Sequence, residues 1–453
     1  MASAYSISQC TTSPVEISSY LTPDEWTGEG GRQRPNIAEL LEDRFRLPRA
    51  IANFALDGHQ LFCQVNGHDP QDLAISGPID AAHLINSLRF ERYGTLSRRY
   101  KSRSAANRLF HLSYYSCLRP FLPSPARKQL QRLYFRKRLA TPFPRWPVDS
   151  SADTLLEHAL LATMERHKIE AIPFIWFWPD GIQSAAIITH DVETQAGRNF
   201  CARLMDFDDL FNVKSSFQLI PEKRYAISDG LLDEIRSRGF EINVHDLNHD
   251  GCLFSSRTLF LHRAKKINEY LQAFRAQGFR SAVMYRNAEW LHHLNVSYDM
   301  SIPNVAHLDP QAGGCCTVLP FFVGQVLELP VTLIQDYSLY HILRDYSIEL
   351  WQQQIALIQK KHGLISLIVH PDYIIEEKAR KTYGQILQHI CTLREKRKTW
   401  IALPAEVADW WRLRSQLNLV KVSSSWRIEG KGKERAQIAY AVRHDGELRY
   451  ELT

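Results

Sequence analysis

Two short stretches of the chain combine carboxylate and imidazole side chains directly after apolar, strand-like runs. The stretch 189–193 reads Thr-His-Asp-Val-Glu and follows the apolar run 185–188. The stretch 245–249 reads His-Asp-Leu-Asn-His and follows the run 240–244. Carboxylates and imidazoles are common ligands of divalent metals, and a carboxylate that is left over can act as a general base. A metal and a base are the minimum requirement for hydrolysing an unactivated bond, so the two stretches predict a hydrolytic site.

The two histidines of the second stretch have the spacing of a shared metal site. On a helical turn, a separation of four residues places the imidazoles of His245 and His249 on one face. A carboxylate is needed as the third ligand, and Asp191 and Glu193 are the candidates. One of them would bind the metal and the other would deprotonate a water molecule. The structural alternatives are a chance pair of helical histidines and a strand that ends in a capped turn.

Three further polar residues follow or end apolar runs. Arg286 ends the predicted strand 282–286 and could hold the orientation and ionisation of a catalytic aspartate. Asp299 supplies another acid. His370 follows the apolar strand 364–369 and could protonate a leaving amine, with a buried aspartate fixing its tautomer. A structural histidine with satisfied hydrogen bonds is the alternative reading of His370.

The elements that would carry these residues alternate between strand and helix. Alternation of this kind favours a parallel β/α architecture, either a barrel or an open sheet. Ligands collect at the C-terminal strand ends of such folds, where both opening stretches lie. The predicted strands are 185–189, 214–219, 240–244, 282–286, 327–331 and 364–369. The predicted helices are 197–210, 229–238, 257–276, 347–361 and 376–397.

In this order the motifs resemble the polysaccharide deacetylase family, also called the NodB-homology family or carbohydrate esterase family 4. The family motifs are Thr-Phe-Asp-Asp, His-Ser/Thr-x-x-His, Arg-x-Pro, an Asp-containing motif and Leu-x-x-His. The matching positions here are 189–191, 245–249, Arg286, Asp299 and 367–370, so the resemblance covers less than half of the chain. It implies a distorted (β/α) barrel, a zinc-like divalent metal and hydrolysis of an acetyl group from a sugar.

The resemblance also implies a role for each matching residue. Asp191 would be the catalytic base and Arg286 would brace it. His245 and His249 would bind the metal. His370 would be the general acid, with Asp299 as the residue that orients it.

The chain departs from the family pattern at three places. Val192 stands where the family has its metal-binding Asp, so we assign the metal to Glu193, although strand alternation points 192 and 193 to opposite faces. His190 replaces Phe and is a candidate for a further ligand. The pair 287–288, Asn-Ala, replaces prolines and changes the wall of the groove.

At 453 residues the chain is long enough for two or three domains. We expect a loosely ordered N-terminus at 1–36, an accessory α/β region at 37–150, the barrel at 151–416 and a small β extension at 417–453. Its strands are predicted at 425–429, 436–443 and 447–452, and a strand of the accessory region is predicted at 61–65.

The composition is that of a soluble globular protein, with 45% hydrophobic and 23% charged residues. The first residues lack a basic flank and an apolar core, so we expect no secretory signal and a cytosolic protein. The eight cysteines are scattered without a CxxC pair, which predicts free thiols.

The net charge of +6 hides one strongly basic segment. Residues 97–146 contain thirteen Lys or Arg, no acidic residue, and several aromatic side chains between them. Such a segment is typical of one that binds a polyanion or an anionic membrane surface. The structural alternative is a basic face exposed to solvent. Nucleic acid is not expected as a partner, because no recognised nucleic-acid motif surrounds the segment.

These observations lead to two functional hypotheses. The first is a zinc-dependent hydrolase that removes an acetyl group from an N-acetylated sugar or oligosaccharide in polysaccharide or glycolipid biosynthesis. A nucleotide sugar and a polyprenyl-linked sugar at the inner membrane are the expected forms of substrate, and a deformylase or another amidase is a close variant. The second is a catalytically silent carbohydrate-binding or scaffold member of the same fold, which Val192 favours. The sequence indicates no oligomeric state.

Overall fold

The computed structural model describes residues 36–48, 81–93 and 129–453, apart from positions 130, 133 and 136. The predicted strand at 61–65 and the basic residues at 97–128 lie outside the described residues. Within the described ranges, no helix combines the length and the apolar character that a membrane crossing needs.

A mostly parallel sheet with helices packed on its outer face forms the centre of the molecule. In chain order the strands are β1 (Ala171–Ile175), β2 (Ser184–Val192), β3 (Ser216–Leu219), β4 (Glu241–His245), β5 (Gly278–Arg280), β6 (Tyr298–Asp299), β7 (Phe321–Val323), β8 (Val326–Glu328), β9 (Leu364–Ile368), β10 (Thr399–Ile401), β11 (Asn418–Val422), β12 (Ser425–Glu429), β13 (Ile438–His444) and β14 (Glu447–Leu452). The helices are α1 (Ile37–Phe45), α2 (Ala81–Arg89), α3 (Ser151–His167), α4 (Gln195–Leu210), α5 (Asp229–Ser237), α6 (Arg257–Ala273), α7 (Glu349–Lys360), α8 (Pro371–Ile374), α9 (Glu377–Glu395) and α10 (Pro404–Gln416).

The parallel strands follow the order β9-β2-β3-β4-β5-β6-β8, with β7 antiparallel to β8 and β10 beside the start of β2. The segment after β8 closes the sheet. Val331 N donates to Ile302 O (3.0 Å) on one side, and Leu333 N donates to Ser366 O of β9 (3.2 Å) on the other. An isolated bridge at Val331 and a few hydrogen bonds around Thr332 thus replace a full strand pair at the closure. The predicted α/β fold, a distorted (β/α) barrel, is confirmed.

Strand β2 is buried along its whole length because both of its faces are covered. Ile188 and Val192 belong to the core between the sheet and its outer helices, whereas Ile187 belongs to a second core that includes α3. Side chains alternate between the faces of a strand, so Thr189 and Asp191 share the inner face with Ile187. Alternation therefore delivers Asp191 to the mouth of the barrel.

One predicted strand is wrong. The run 282–286 is not extended, because Val283 and Met284 have φ angles of 58° and 56°, which a strand cannot contain. The strand in this part of the chain is β5, Gly278–Arg280, only three residues long. The other predicted strands of the barrel correspond to β2, β3, β4, β8 and β9, and the five predicted helices correspond to α4, α5, α6, α7 and α9.

The predicted C-terminal β extension is confirmed, and it reaches back to the start of the barrel region. Strand β13 pairs antiparallel with β1 and with β14, and the prediction missed β11, which forms a hairpin with β12. Helices α1, α2 and α3 share a core with β1 and Trp411. The domain boundaries at 36, 150 and 416 stay predictions. Among the described cysteines, all are free thiols, namely Cys201, Cys252, Cys315, Cys316 and Cys391.

Candidate metal and hydrolytic site

Three of the predicted ligands meet at the C-terminal ends of β2 and β4. Glu193 Oε1 lies 2.9 Å from His249 Nε2 and 4.0 Å from His245 Nε2. One possible ligand atom from each of the three residues lies within 4.8 Å of the others. The structure therefore brings together Glu193, His245 and His249 as a group of metal-ligand size.

The unused nitrogens of the two histidines fit a cation. His245 Nδ1 lies 3.1 Å from the carbonyl oxygen of Arg280, and since a carbonyl only accepts, Nδ1 carries the proton. This tautomer leaves a lone pair on His245 Nε2. The Nε2 atoms of both His245 and His249 are buried, and neither makes a hydrogen bond of good geometry. Two such nitrogens beside a carboxylate are a suitable donor set for a divalent metal.

The histidines converge through a turn and not through the helical turn that their spacing predicted. Asp246 and His249 have φ angles of 56° and 54°, in the left-handed region. Asp246 stabilises this conformation because its carboxylate accepts from Leu247 N (2.6 Å) and from Ala282 N (3.4 Å). Left-handed non-glycine residues persist where the surroundings determine them, and here they bring the two imidazole rings to a centroid distance of 4.8 Å.

Asp191, the predicted base, is ionised beside a buried arginine. Its Oδ1 lies 3.3 Å from Arg280 Nη1, and its Oδ2 lies 3.8 Å from His245 Nε2. Burial alone would raise the pKa of Asp191, but Arg280 and the nearby imidazoles hold it below its usual value. A carboxylate that stays ionised and is oriented by a guanidinium is able to accept a proton.

The arginine predicted for this position was the wrong one. The guanidinium of Arg286 pairs with the carboxylate of Glu91, with Nε 2.7 Å from Oε2, and does not contact Asp191. Arg280, at the end of β5, takes the place expected for Arg286. The error follows from the misplaced strand, because a strand at 282–286 would have put Arg286 at its C-terminal end.

His370, the predicted acid, is held by an aspartate that the prediction missed. Its Nδ1 lies 2.6 Å from Asp336 Oδ1, and its backbone N–H donates to Asp336 Oδ2 (2.7 Å). Burial would lower the pKa of His370, but Asp336 and then Glu193 raise it well above the usual value. The raised pKa favours the protonated imidazole, and its Nε2 lies 3.5 Å from Glu193 Oε1 in the site.

Asp299, predicted to orient His370, has another environment. It is fully buried and accepts from the hydroxyl (2.8 Å) and the backbone N–H (3.1 Å) of Ser301. Its partner across β6 and β8 is Glu328, whose pKa is raised well above the usual value by burial and by the charge of Asp299. Asp299 and Glu328 thus form a buried carboxyl pair inside the barrel. The residue that orients His370 is Asp336 and not Asp299 as predicted.

His190, a candidate further ligand, faces away from the site. It lies on the outer side of β2, where its Nδ1 donates to Val369 O (3.0 Å) and its Nε2 contacts Asp208 of α4 (3.1 Å). Its ring is fully buried. The prediction of a ligand at His190 is wrong because strand alternation separates it from Asp191.

Both missed residues carried a weak sequence signal. Arg280 follows Gly278 and Phe279, a run too short to suggest a strand. Asp336 lies two residues after the mostly apolar stretch 331–334, which extends beyond the predicted strand 327–331 and leads toward the site. An acid or a base within two residues of the end of an apolar run in a β/α chain is therefore a candidate site residue.

Comparisons with known proteins give similarities at the level of structure. No family model matches the sequence, and no curated protein matches it. A protein from Mycobacterium smegmatis assigned as a polysaccharide deacetylase is 18% identical over 55% of this chain and 98% of its own, with a TM-score of 0.43. The Puue allantoinase is 9% identical over 52% of this chain and 92% of its own, with a TM-score of 0.41.

A further polysaccharide deacetylase structure, from Pseudomonas aeruginosa PAO1, is 13% identical over 52% of this chain and 93% of its own, with a TM-score of 0.41. Two of these three proteins bear the name of the family that the sequence motifs resemble. With TM-scores below 0.5 and identities below 20%, the similarities carry no weight for the activity of this chain.

The position of the acidic ligand is testable by moving it. In the double variant Val192→Asp/Glu193→Ala the acid takes the position at which the resembling family has it. Because Val192 is fully buried in the helix-facing core, we expect the new carboxylate to lower the unfolding free energy by about 3–5 kcal/mol and to bind no metal. Urea denaturation and elemental analysis measure the two effects. Glu193→Ala alone is the control: it also loses the metal, and the further loss of stability in the double variant measures the cost of the buried carboxylate. Metal binding by the folded double variant would contradict the assignment.

The carboxyl pair in the barrel predicts a pH dependence of stability. The folded chain keeps the proton of Glu328 above the ordinary pKa of 4.5, whereas the unfolded chain releases it. The unfolding free energy contributed by this group therefore falls as pH rises, by up to about 1.4 kcal/mol per pH unit. Glutamine has no proton to release, so Glu328→Gln should gain stability relative to the wild type between pH 5 and pH 8. Urea denaturation at both values tests this, with the exposed Glu451→Gln as control, and a pH-independent difference would refute it.

Proposed function

We propose that the chain is a metal-dependent hydrolase that removes an acetyl group from an N-acetylated sugar. The observation that carries the proposal is that the three ligand residues lie beside both a carboxylate and an imidazole that are suited to act as base and acid. Asp191 Oδ2 lies 3.8 Å from His245 Nε2, and His370 Nε2 lies 3.5 Å from Glu193 Oε1. A base and an acid that both reach a metal site are the equipment for amide hydrolysis.

Each residue has a defined task in this mechanism. Glu193, His245 and His249 would hold the metal, which we expect to be zinc and which supplies Lewis acidity toward a carbonyl oxygen and a water molecule. Asp191 takes the proton of the attacking water, and Arg280 holds its carboxylate in place. The low pKa of Asp191 keeps it ready to accept that proton at neutral pH.

His370 completes the reaction. Asp336 holds its Nδ1 at 2.6 Å, which leaves the Nε2–H for donation to the departing sugar nitrogen. Because the buried Asp336 raises the pKa of His370, the imidazole carries this proton at neutral pH. Without the proton, the amine would leave as an unstable anion.

Aromatic side chains beside His370 support a sugar as the substrate. The ring of Tyr373 lies 5.0 Å from the ring of His370, and Tyr337 and His341 lie 6.0 Å and 4.8 Å from Tyr373. Sugar rings present apolar C–H faces that pack on aromatic rings. An N-acetylated monosaccharide or oligosaccharide would place its amide between Asp191 and His370.

The basic segment 97–146 extends this proposal to an anionic form of the substrate. Its described part contacts this aromatic group: Arg132 Nε donates to the backbone carbonyl of His341 (2.9 Å), and the Tyr337 hydroxyl donates to the side chain of Gln131 (2.6 Å). Positive charge next to the site favours a nucleotide sugar or a diphosphate-linked lipid sugar. We propose that the protein acts in the cytosol, with peripheral contact to the inner membrane.

A catalytically silent carbohydrate-binding member of the fold is the second candidate. The observation in its favour is Val192, a buried apolar residue at the position where the resembling family has a metal-binding acid. Such a protein would bind sugar through the aromatic side chains without hydrolysing it. A measurement of bound metal distinguishes the hydrolase from this silent member.

Metal content is the first test. We expect the purified chain to contain a stoichiometric divalent metal, and the variants His245→Ala and His249→Ala to lose it, because each removes one of three ligands. Elemental analysis after gel filtration measures this. His262→Ala removes an exposed imidazole of α6 and should retain the metal. A wild-type chain that stays metal-free after incubation with zinc would favour the silent member.

Activity is the second test. Metal-loaded protein should release acetate from at least one substrate in a panel of N-acetylated sugar nucleotides and lipid-linked sugars. Asp191→Asn removes the base while preserving its shape, so we expect a rate about 10²–10⁴-fold lower. Asp206→Asn, an exposed change on α4, is the control. Equal acetate release by Asp191→Asn and wild type would exclude Asp191 as the base.

A further inference from the structure

The main chain at Glu193 lies beyond the interstrand hydrogen bonds of β2, whereas His245 lies within the strand β4. Strand β2 ends at Val192, so the ladder of interstrand hydrogen bonds does not extend to Glu193. Its backbone N–H instead points to the carboxylate of Asp372, with a distance of 3.4 Å to Oδ2. The hydroxyl of the next residue, Thr194, donates to the other oxygen of the same carboxylate. Asp372 therefore contacts two consecutive residues at the ligand position.

The carboxylate of Asp372 occupies the space that the absence of a side chain at Gly197 leaves free. Thr194 caps α4 by accepting from Gly197 N (3.2 Å), and the carboxylate lies against this first turn. A Cβ atom on Gly197 would come within 2.8 Å of Asp372 Cγ and 3.0 Å of its Oδ1. Since real Cβ contacts are longer, any side chain at 197 would displace the carboxylate. A negative charge at a helix N-terminus is also favourable.

Asp372 connects the two sides of the site. It lies in α8, which begins directly after His370, and the Tyr373 ring packs on the His370 ring. The short helix α8 is thus covalently continuous with His370, and it contacts Glu193 through the side chain of Asp372. The contact joins the end of β9 to the end of β2 at the point where the metal ligand and the acid must face each other.

We propose that Asp372 is a positioning residue that sets the main chain of Glu193, so that its side chain reaches the two histidines. The inference rests on the proposed function, because it concerns affinity for the metal. A glutamate side chain has several rotatable bonds, and an unsupported backbone adds to the conformations that metal binding must restrict. Residues that orient metal ligands typically change metal affinity about 10–100-fold when they are removed.

The test measures the zinc dissociation constant by competition with a chelator for wild type, Asp372→Ala, Gly197→Ala and the double variant. We expect each single variant to bind zinc about 10–100-fold more weakly. The double variant should bind no more weakly than Asp372→Ala, because alanine at 197 then displaces nothing. Asp372→Asn keeps one acceptor oxygen and should fall between wild type and alanine, and it replaces Asp372→Ala should the latter not fold.

The thermal stability of the metal-free chain separates positioning from a purely structural role. Alanine is a better helix former than glycine by about 0.5–1 kcal/mol, which offsets part of the lost Asp372 contacts. Gly197→Ala should therefore change this stability little while zinc binding weakens, whereas a purely structural role predicts lower stability at unchanged zinc affinity. Gly230→Ala is the matched control: it lies in the first turn of α5, where a Cβ meets only Ser228 Oγ at 4.0 Å, and should leave affinity unchanged.

Three results would overturn the inference. Wild-type zinc affinity in both Asp372→Ala and Gly197→Ala, with metal still lost in His245→Ala, removes the role of Asp372 and leaves the proposed function intact. Additive losses in the double variant show that the two residues act through separate contacts. Absence of bound metal in the wild type ends the proposed function and this inference together.

Discussion

A half-buried negative charge at Glu193, faced by three imidazoles, is the interaction on which the site depends. Transfer of a lone carboxylate into the protein interior is strongly unfavourable, so such a group must be paired. Here His249, His370 and His245 lie 2.9, 3.5 and 4.0 Å from the same Oε1 atom. They hold the pKa of Glu193 well below its usual value, and Glu193 in turn raises the pKa of His249. A divalent cation bound at this cluster would balance the same negative charge.

The barrel supplies the geometry that this charge cluster requires. Parallel strands deliver Asp191 from β2, His245 from β4 and His370 from the end of β9 to one mouth. The segment that closes the barrel through Leu333 continues directly to Asp336, which holds His370. Closure of the sheet and orientation of the acid are therefore consequences of the same stretch of chain.

Strand ends were predictable from the sequence where the strands were long and apolar. β2 and β9 contain runs of four or more mostly apolar residues, and β4 alternates apolar and polar residues. Each carries, within two residues of its C-terminal end, a residue that the prediction assigned to the site. The prediction failed around β5, where the strand has only three residues and the apolar run that follows it contains two left-handed φ angles. Positive φ values depend on contacts such as that of Asp246 with Ala282 N, which have no signature in residue order.

Residue order was sufficient to predict the class of fold and to select Asp191, Glu193, His245, His249 and His370 as candidate site residues, because residue type and local hydrophobic periodicity depend on neighbours in the chain. The three-dimensional fold was needed to show that Arg280 and not Arg286 faces Asp191, that Asp336 and not Asp299 holds His370, and that Asp372 contacts Glu193. These pairs join residues 34 to 179 positions apart. Their formation depends on how the barrel closes. Many acids and bases of the chain have the same chemistry, and only their distances in the closed barrel distinguish those that pair.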